Sequence, residues 1–203
     1  MGRLVPEADG FLPAFVAALR LLSDAEEEVA AASQPRPVLV GGAAVELWTT
    51  GRYLSGDLDL LTPDTSAIEA ALLARGFRRE DRQGWLRRGL YHPELCFGIE
   101  FVSGQLFDGR ADAARLVLLE FMPGARVLVI PPEDVIADRL GQFAADPAAG
   151  GDQLRIARMV FRLAPALDHA YLHGRIQDET DWRLPWERVR RWLTDEDVTI
   201  SRP

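Results

Sequence analysis

Apolar residues recur at spacings of three and four through Phe11, Phe15, Leu19 and Leu22, which predicts an amphipathic helix over 11–32. Its middle is rich in Ala, Leu and Glu, all good helix formers. Pro35 and Pro37 end it, because each proline biases the residue before it away from helical backbone. Val38, Leu39 and Val40 then form a short apolar run between a proline and a glycine pair, the signature of a buried strand over 37–40. Gly41 and Gly42 make a turn into a short helix over 43–48. Leu58, Leu60 and Leu61 flank two aspartates in a second strand, and the residues at 62–65 end it and cap a helix over 66–75 that stops at Gly76.

Two more strands are expected at 84–91 and 95–102, and a further one at 125–130. Pro131 and Pro132 open a helix running to about residue 145, since proline is tolerated where its missing N–H has no partner anyway. A Gly-, Ala- and Pro-rich loop fills 146–151, and helices are expected at 152–163, 167–173 and 186–193. Strands and helices thus mix in the first two thirds and only helices follow, which predicts an α+β fold with a mixed sheet flanked by helices and a C-terminal helical segment. The loop at 146–151 is the expected boundary, giving 1–145 and 146–203, although one compact domain fits equally.

Composition narrows the class. The 203 residues are 48% hydrophobic and 27% charged, enough for a buried core and unlike a disordered chain. The net charge of −8 argues against broad duplex binding. Cys96 is the one cysteine, so an intramolecular disulfide is impossible; within an apolar run it is expected as a buried thiol in a reducing compartment. The apolar stretch after Phe11 is interrupted by Arg20 and too short for a bilayer, and the first ten residues lack the basic start of a signal peptide. The expectation is a soluble, cytoplasmic protein.

Candidate chemistry centres on Asp57 and Asp59. Residues two apart in a strand share a face, so both carboxylates point the same way. Held so, they repel, and a hard divalent cation such as Mg²⁺ or Mn²⁺ would offset that cost. A strand that turns through Gly41 and Gly42 into a helix offers unpaired backbone N–H groups and a dipole that attract phosphate. Glu100 lies amid apolar neighbours in a strand, where a charged residue is rarely buried without a partner. It is the candidate third ligand or general base; an exposed edge position is the alternative.

The run Val40-Gly-Gly-Ala-Ala-Val-Glu-Leu47, then Arg52, then Ser55-Gly-Asp-Leu-Asp-Leu60, resembles the minimal nucleotidyltransferase pattern of the DNA polymerase β superfamily. The arginine ahead of Ser-x-Asp-x-Asp is similar to the bacterial branch that holds the AbiEii-type toxins and the small antibiotic nucleotidyltransferases. The resemblance covers about residues 36–145. It implies Mg²⁺-dependent transfer of NMP from an NTP, with Asp57, Asp59 and Glu100 at the metal and Gly41, Gly42, Arg52, Ser55 and Arg139 toward the phosphates. Arg139 stands where that branch carries lysine, so phosphate clamping is kept and lysine-dependent base chemistry is not. The acceptor, whether RNA, protein or small molecule, is left open. The alternative is an inactive relative that binds a nucleotide or a partner, as an antitoxin or regulator does.

Other features read more simply. Arg139 falls on a solvated helix face if it has no phosphate, and Asp152 is expected as a helix N-cap. His169 and His173 share a helix face, but no third zinc ligand is evident. Trp182, Trp186 and Trp192 alternate with arginines, a pattern that fits packing on the core or on a second copy in a homodimer better than a grip on single-stranded RNA. No Walker A loop, dinucleotide fingerprint or Gly-x-Ser-x-Gly elbow occurs.

Overall fold

The computed structural model describes residues 10–80, 89–102 and 106–194. The chain divides into two compact units, one of 1–106 with 113–130, the other of 107–112 with 131–203. The division falls one helix earlier than the loop at 146–151, because the helix after Pro131 packs its apolar face on the later helices.

The first unit is built on a seven-stranded mixed sheet. In chain order its elements are α1 (Pro13–Ala31), β1 (Val38–Val40), α2 (Gly41–Trp48), β2 (Asp57–Leu61), α3 (Ser66–Leu73), β3 (Arg78–Arg79), β4 (Gly89–His92), β5 (Phe97–Val102), β6 (Val117–Met122) and β7 (Ala125–Val129). The strand order is β3-β4-β5-β2-β1-β7-β6. β2 pairs antiparallel with β1 and parallel with β5, so it lies between the glycine turn and the strand of Glu100. Helix α1 begins at a proline and buries Phe15, Leu19, Leu22 and Val29 against α3, β5 and β7. Leu39, Leu58, Leu60 and Ile99 form the fully buried interior of the central strands.

Three local differences from the expected elements have physical causes. Helix α2 begins at Gly41 itself, whose φ of +62° lets the chain leave β1 and enter the helix without an intervening turn. β6 was not expected: Val117, Leu118, Leu119, Phe121 and Met122 make both faces apolar, and a bulge at Glu120/Met122 breaks what alternation remains. Cys96 is exposed rather than buried; its φ of +52° places it in the turn before β5, with the thiol 3.6 Å from the Pro93 carbonyl. Of the strand expected at 84–91, residues 84–88 lie outside the described residues.

The second unit contains α4 (Pro132–Ala145), α5 (Gly151–Leu163), α6 (His169–Thr180) and α7 (Trp186–Thr194). α4 packs on α5 and α6, and α7 on α5 and α6, around Ile136, Leu140, Leu154, Val160, Leu172 and Val189. Asp168 caps α6 by accepting from Ala170 N–H and Tyr171 N–H at 3.1 and 3.0 Å. Asp152 does not cap α5; Gly150 holds that position, and Asp152 pairs with Arg155 at 3.4 Å on the exposed first turn. α6 passes Gly174 and runs on to Thr180 because Ile176 continues its buried face. Among the described residues no helix is long and apolar enough to cross a membrane.

Candidate functional site

The register of the central strands brings the three acids together. In the parallel pair β2–β5, Asp57 lies opposite Gly98 and Asp59 opposite Glu100. All four residues therefore stand on one face, while Leu58, Leu60 and Ile99 fill the other. Each of Asp57, Asp59 and Glu100 is half-buried, and each offers a carboxylate oxygen within 4.8 Å of the other two. Around one octahedral Mg²⁺ at about 2.0–2.1 Å, neighbouring ligand oxygens stand about 3 Å apart and opposed ones about 4 Å, so the three oxygens would close in from spacings of up to 4.8 Å to share one ion. An all-oxygen, triply acidic donor set fits Mg²⁺ or Mn²⁺ and not a soft metal.

The glycine turn touches this cluster. A Cβ built on Gly41 would lie 1.9 Å from Asp59 Oδ2, so the backbone at the start of α2 closes on the carboxylate itself. Two constraints make Gly41 a glycine: positive φ and the absence of room. A Cβ on Gly42 would meet Ser55 Oγ at 2.7 Å, and Ser55 Oγ donates to the Asp57 carbonyl at 2.8 Å. Val40, the last residue of β1, is the register partner of Asp59. The first turn of α2 thus lies beside the acids, with its leading N–H groups unbonded within the helix.

On the other flank of Asp57 a cavity of about 170 Å³ opens between the triad and β4. Asp57, Glu80, Tyr91, Cys96, Gly98 and Glu100 line it. A hydrogen bond with Cys96 lifts the Tyr91 phenol above its usual value. Glu80, which follows the two-residue strand β3, places Oε2 3.2 Å from where a Cβ on Gly89 would be, and Gly89 pairs with Glu100. Glu80 is a fourth acid at the site that sequence reasoning missed, since two residues are too few to show a period.

Glu46 is the other residue missed. It is fully buried on α2, one turn beyond Gly42, and its Oε2 accepts from Ser55 N–H at 2.6 Å. Burial pushes its carboxyl up to about 7, the Ser55 N–H opposing the shift. A signal existed: Glu46 is the lone charge in the apolar run of α2.

The basic residues are placed differently. Arg52 is exposed, four residues beyond Trp48, the last residue of α2. Arg139 belongs to the second unit, where it donates to Gln153 at 3.2 Å and Gln142 at 3.4 Å and lies 3.7 Å from Asp138. With 12% of its side chain exposed, it is not on a solvated face. His169 packs edge-on against Phe161 at 5.9 Å and His173 lies 4.9 Å from Trp186, so both imidazoles serve ring packing. Trp192 meets Phe143 edge-on at 5.6 Å, as expected for core packing, while Trp182 is 70% exposed.

No model of a known protein family matches the chain, and no curated protein matches it.

Proposed function

We propose that the chain is a metal-dependent nucleotidyltransferase that moves an NMP group from an NTP to an acceptor hydroxyl and releases pyrophosphate. The observation that carries this reading is the convergence of Asp57, Asp59 and Glu100 within 4.8 Å beside the Gly41 helix start. Asp57, Asp59 and Glu100 would hold Mg²⁺ or Mn²⁺. When bound, the cation supplies charge neutralisation at the phosphates and the developing oxyanions.

The chain's own groups account for the rest. The α2 start, opened by Gly41 and Gly42, offers N–H donors to the triphosphate, and Ser55 stands against Gly42 with its hydroxyl. The cavity beside Asp57 is too small for a whole drug-sized ligand, which needs about 300 Å³ or more, and suits the acceptor's hydroxyl-bearing end. The acceptor oxygen attacks the α-phosphorus, the bond to the β-phosphate bridging oxygen breaks, and the acceptor's proton passes to a carboxylate of the site, Glu100 or Glu80, and on to water. The resemblance of the residues from Val40 to Leu60 to the DNA polymerase β superfamily supports the same reading. Trp182 is the residue of the C-terminal segment that a second copy would cover in a homodimer.

One observation favours a second reading, a nucleotide- or partner-binding protein of the same architecture without turnover. Arg139 donates to Gln142 and Gln153 inside the helical unit, so its guanidinium already has protein partners in place of a phosphate. Calorimetry with each NTP, with and without Mg²⁺, on wild type and on Asp57→Ala/Asp59→Ala separates the cases. Mg²⁺-dependent binding with pyrophosphate release supports transfer, binding without release supports the second reading, and no Mg²⁺-dependent binding in wild type removes both. Binding unchanged in the double variant would place the site elsewhere.

A further inference from the structure

One face of α2 is polar although the helix is apolar elsewhere. Gly42, Glu46 and Thr49 fall at i, i+4 and i+7, the spacing of one helical face. Glu46 and Thr49 are both fully buried. Each residue of this stripe engages the segment that runs from α2 to Asp57. Thr49 Oγ1 accepts from Tyr53 N–H at 3.2 Å while donating to the Val45 carbonyl at 2.8 Å. Glu46 Oε2 accepts from Ser55 N–H at 2.6 Å. Gly42 leaves space for Ser55 Oγ, which in turn donates to the Asp57 carbonyl. The helix whose first turn faces the phosphates therefore also fixes where β2 begins.

We infer that Glu46 is a positioning residue that sets the separation between the α2 start and the Asp57 carboxylate, so that phosphate and metal are held at a fixed spacing; this rests on the nucleotidyltransferase reading. The burial of a carboxyl at this position is otherwise costly. Its second oxygen, Oε1, has no hydrogen-bond partner among the described residues, so the side chain is not there for its own satisfaction. A leucine would fill the same space at lower cost. What a leucine could not do is grip Ser55 N–H and hold the two residues that precede Asp57.

The test compares Glu46→Gln, Glu46→Asp and Glu46→Ala with wild type by Mn²⁺ titration, read from the electron paramagnetic resonance of free Mn²⁺, with and without saturating ATP. Glutamine keeps an acceptor at the same reach, so Glu46→Gln should bind Mn²⁺ within about threefold of wild type. Aspartate withdraws the acceptor by one methylene, and Glu46→Asp and Glu46→Ala should each lose on the order of tenfold in Mn²⁺ affinity and more of the ATP enhancement, the scale of losing a group that orients a metal ligand. If Glu46→Ala does not fold, the Gln and Asp variants decide between themselves. Glu46→Asp or Glu46→Ala binding as tightly as wild type, or Glu46→Gln losing as much as Glu46→Asp, overturns the positioning role alone. A wild type that binds no Mn²⁺ overturns the function and this role with it.

Discussion

The two units gather their acids differently. In the helical unit, Asp134 and Glu179 are matched internally. Arg175, 2% exposed, donates from Nε to Asp134 Oδ1 and from Nη2 to Glu179 Oε1, both at 2.6 Å. Tyr171 adds a hydroxyl to Asp134 at 3.0 Å, and burial still lifts that carboxyl above its ordinary range, with Arg175 drawing it part of the way back. At the sheet, Asp57, Asp59 and Glu100 converge on one another. On the proposed reading, like charges gathered at one point would be relieved by a cation bound between them. Internal pairing of this kind joins helices, whereas a convergence of carboxylates is what the proposed cation site requires.

Removing the internal cation should have the largest effect. Arg175→Met keeps the apolar length of the side chain and leaves Asp134, 1% exposed, and Glu179 without their guanidinium. The expected loss is about 3–5 kcal/mol in the stability of the helical unit, the usual consequence of breaking one half of a buried pair. Urea unfolding followed by tryptophan fluorescence reads it, since all the described contacts of Trp186 and Trp192 lie in that unit. A loss below about 1 kcal/mol would mean that Arg175 is not the compensating charge.

Glu26 lies between the two cases and sharpens them. This α1 carboxyl is fully buried, accepts from Leu128 N–H at 3.2 Å and has Arg36 at 3.6 Å, yet burial pushes it up to about 8, the Leu128 N–H and Arg36 only opposing. A folded value raised above the unfolded 4.5 means that the neutral form favours the native state. The contribution is fully present below pH 4.5 and is lost as pH rises through about 8. Glu26→Gln removes that dependence. Its stability should match wild type at acid pH and exceed it at alkaline pH by an amount on the order of 5 kcal/mol. Unfolding curves taken across that window give the difference directly, and parallel curves at every pH would show that Arg36 holds Glu26 ionised throughout.

What could be read in advance follows the physics of these strands. β2 was legible because its aspartates and leucines alternate, and β5 because Glu100 stands alone among apolar residues. Their adjacency was not legible, since α3, β3 and β4 lie between them along the chain, and it is the parallel pairing that sets Asp59 opposite Glu100. The same reasoning would have found Glu46, an equally isolated acid, had its helix not looked like ordinary helical composition. β3 has two residues and β6 is apolar on both faces, so neither carries the alternation that identifies a strand. Glu80 was hidden for the first of these reasons. Position along the chain relative to a motif says nothing of packing, so the contacts of Arg139 with Gln142 and Gln153 were not legible.

The smallest expected effect bears most directly on the triad. Two unit charges about 4–5 Å apart near water repel by about 1 kcal/mol. Asp57→Asn removes one of three such charges while keeping the size of the side chain. In EDTA the variant should therefore be as stable as wild type or more so, by about 0.5–1 kcal/mol. Mg²⁺ reverses the order, because a ligand that binds only the native state adds stability with its concentration, about 2.7 kcal/mol at a hundred times its Kd, and the variant has lost a ligand. Thermal melts of both proteins along a Mg²⁺ series should then cross. If Asp57→Asn is instead destabilised in EDTA, and wild type is indifferent to Mg²⁺, the three carboxylates are compensated from within as Asp134 is. The sheet would in that case be doing with its own groups what the helical unit does with Arg175, and it would need no cation.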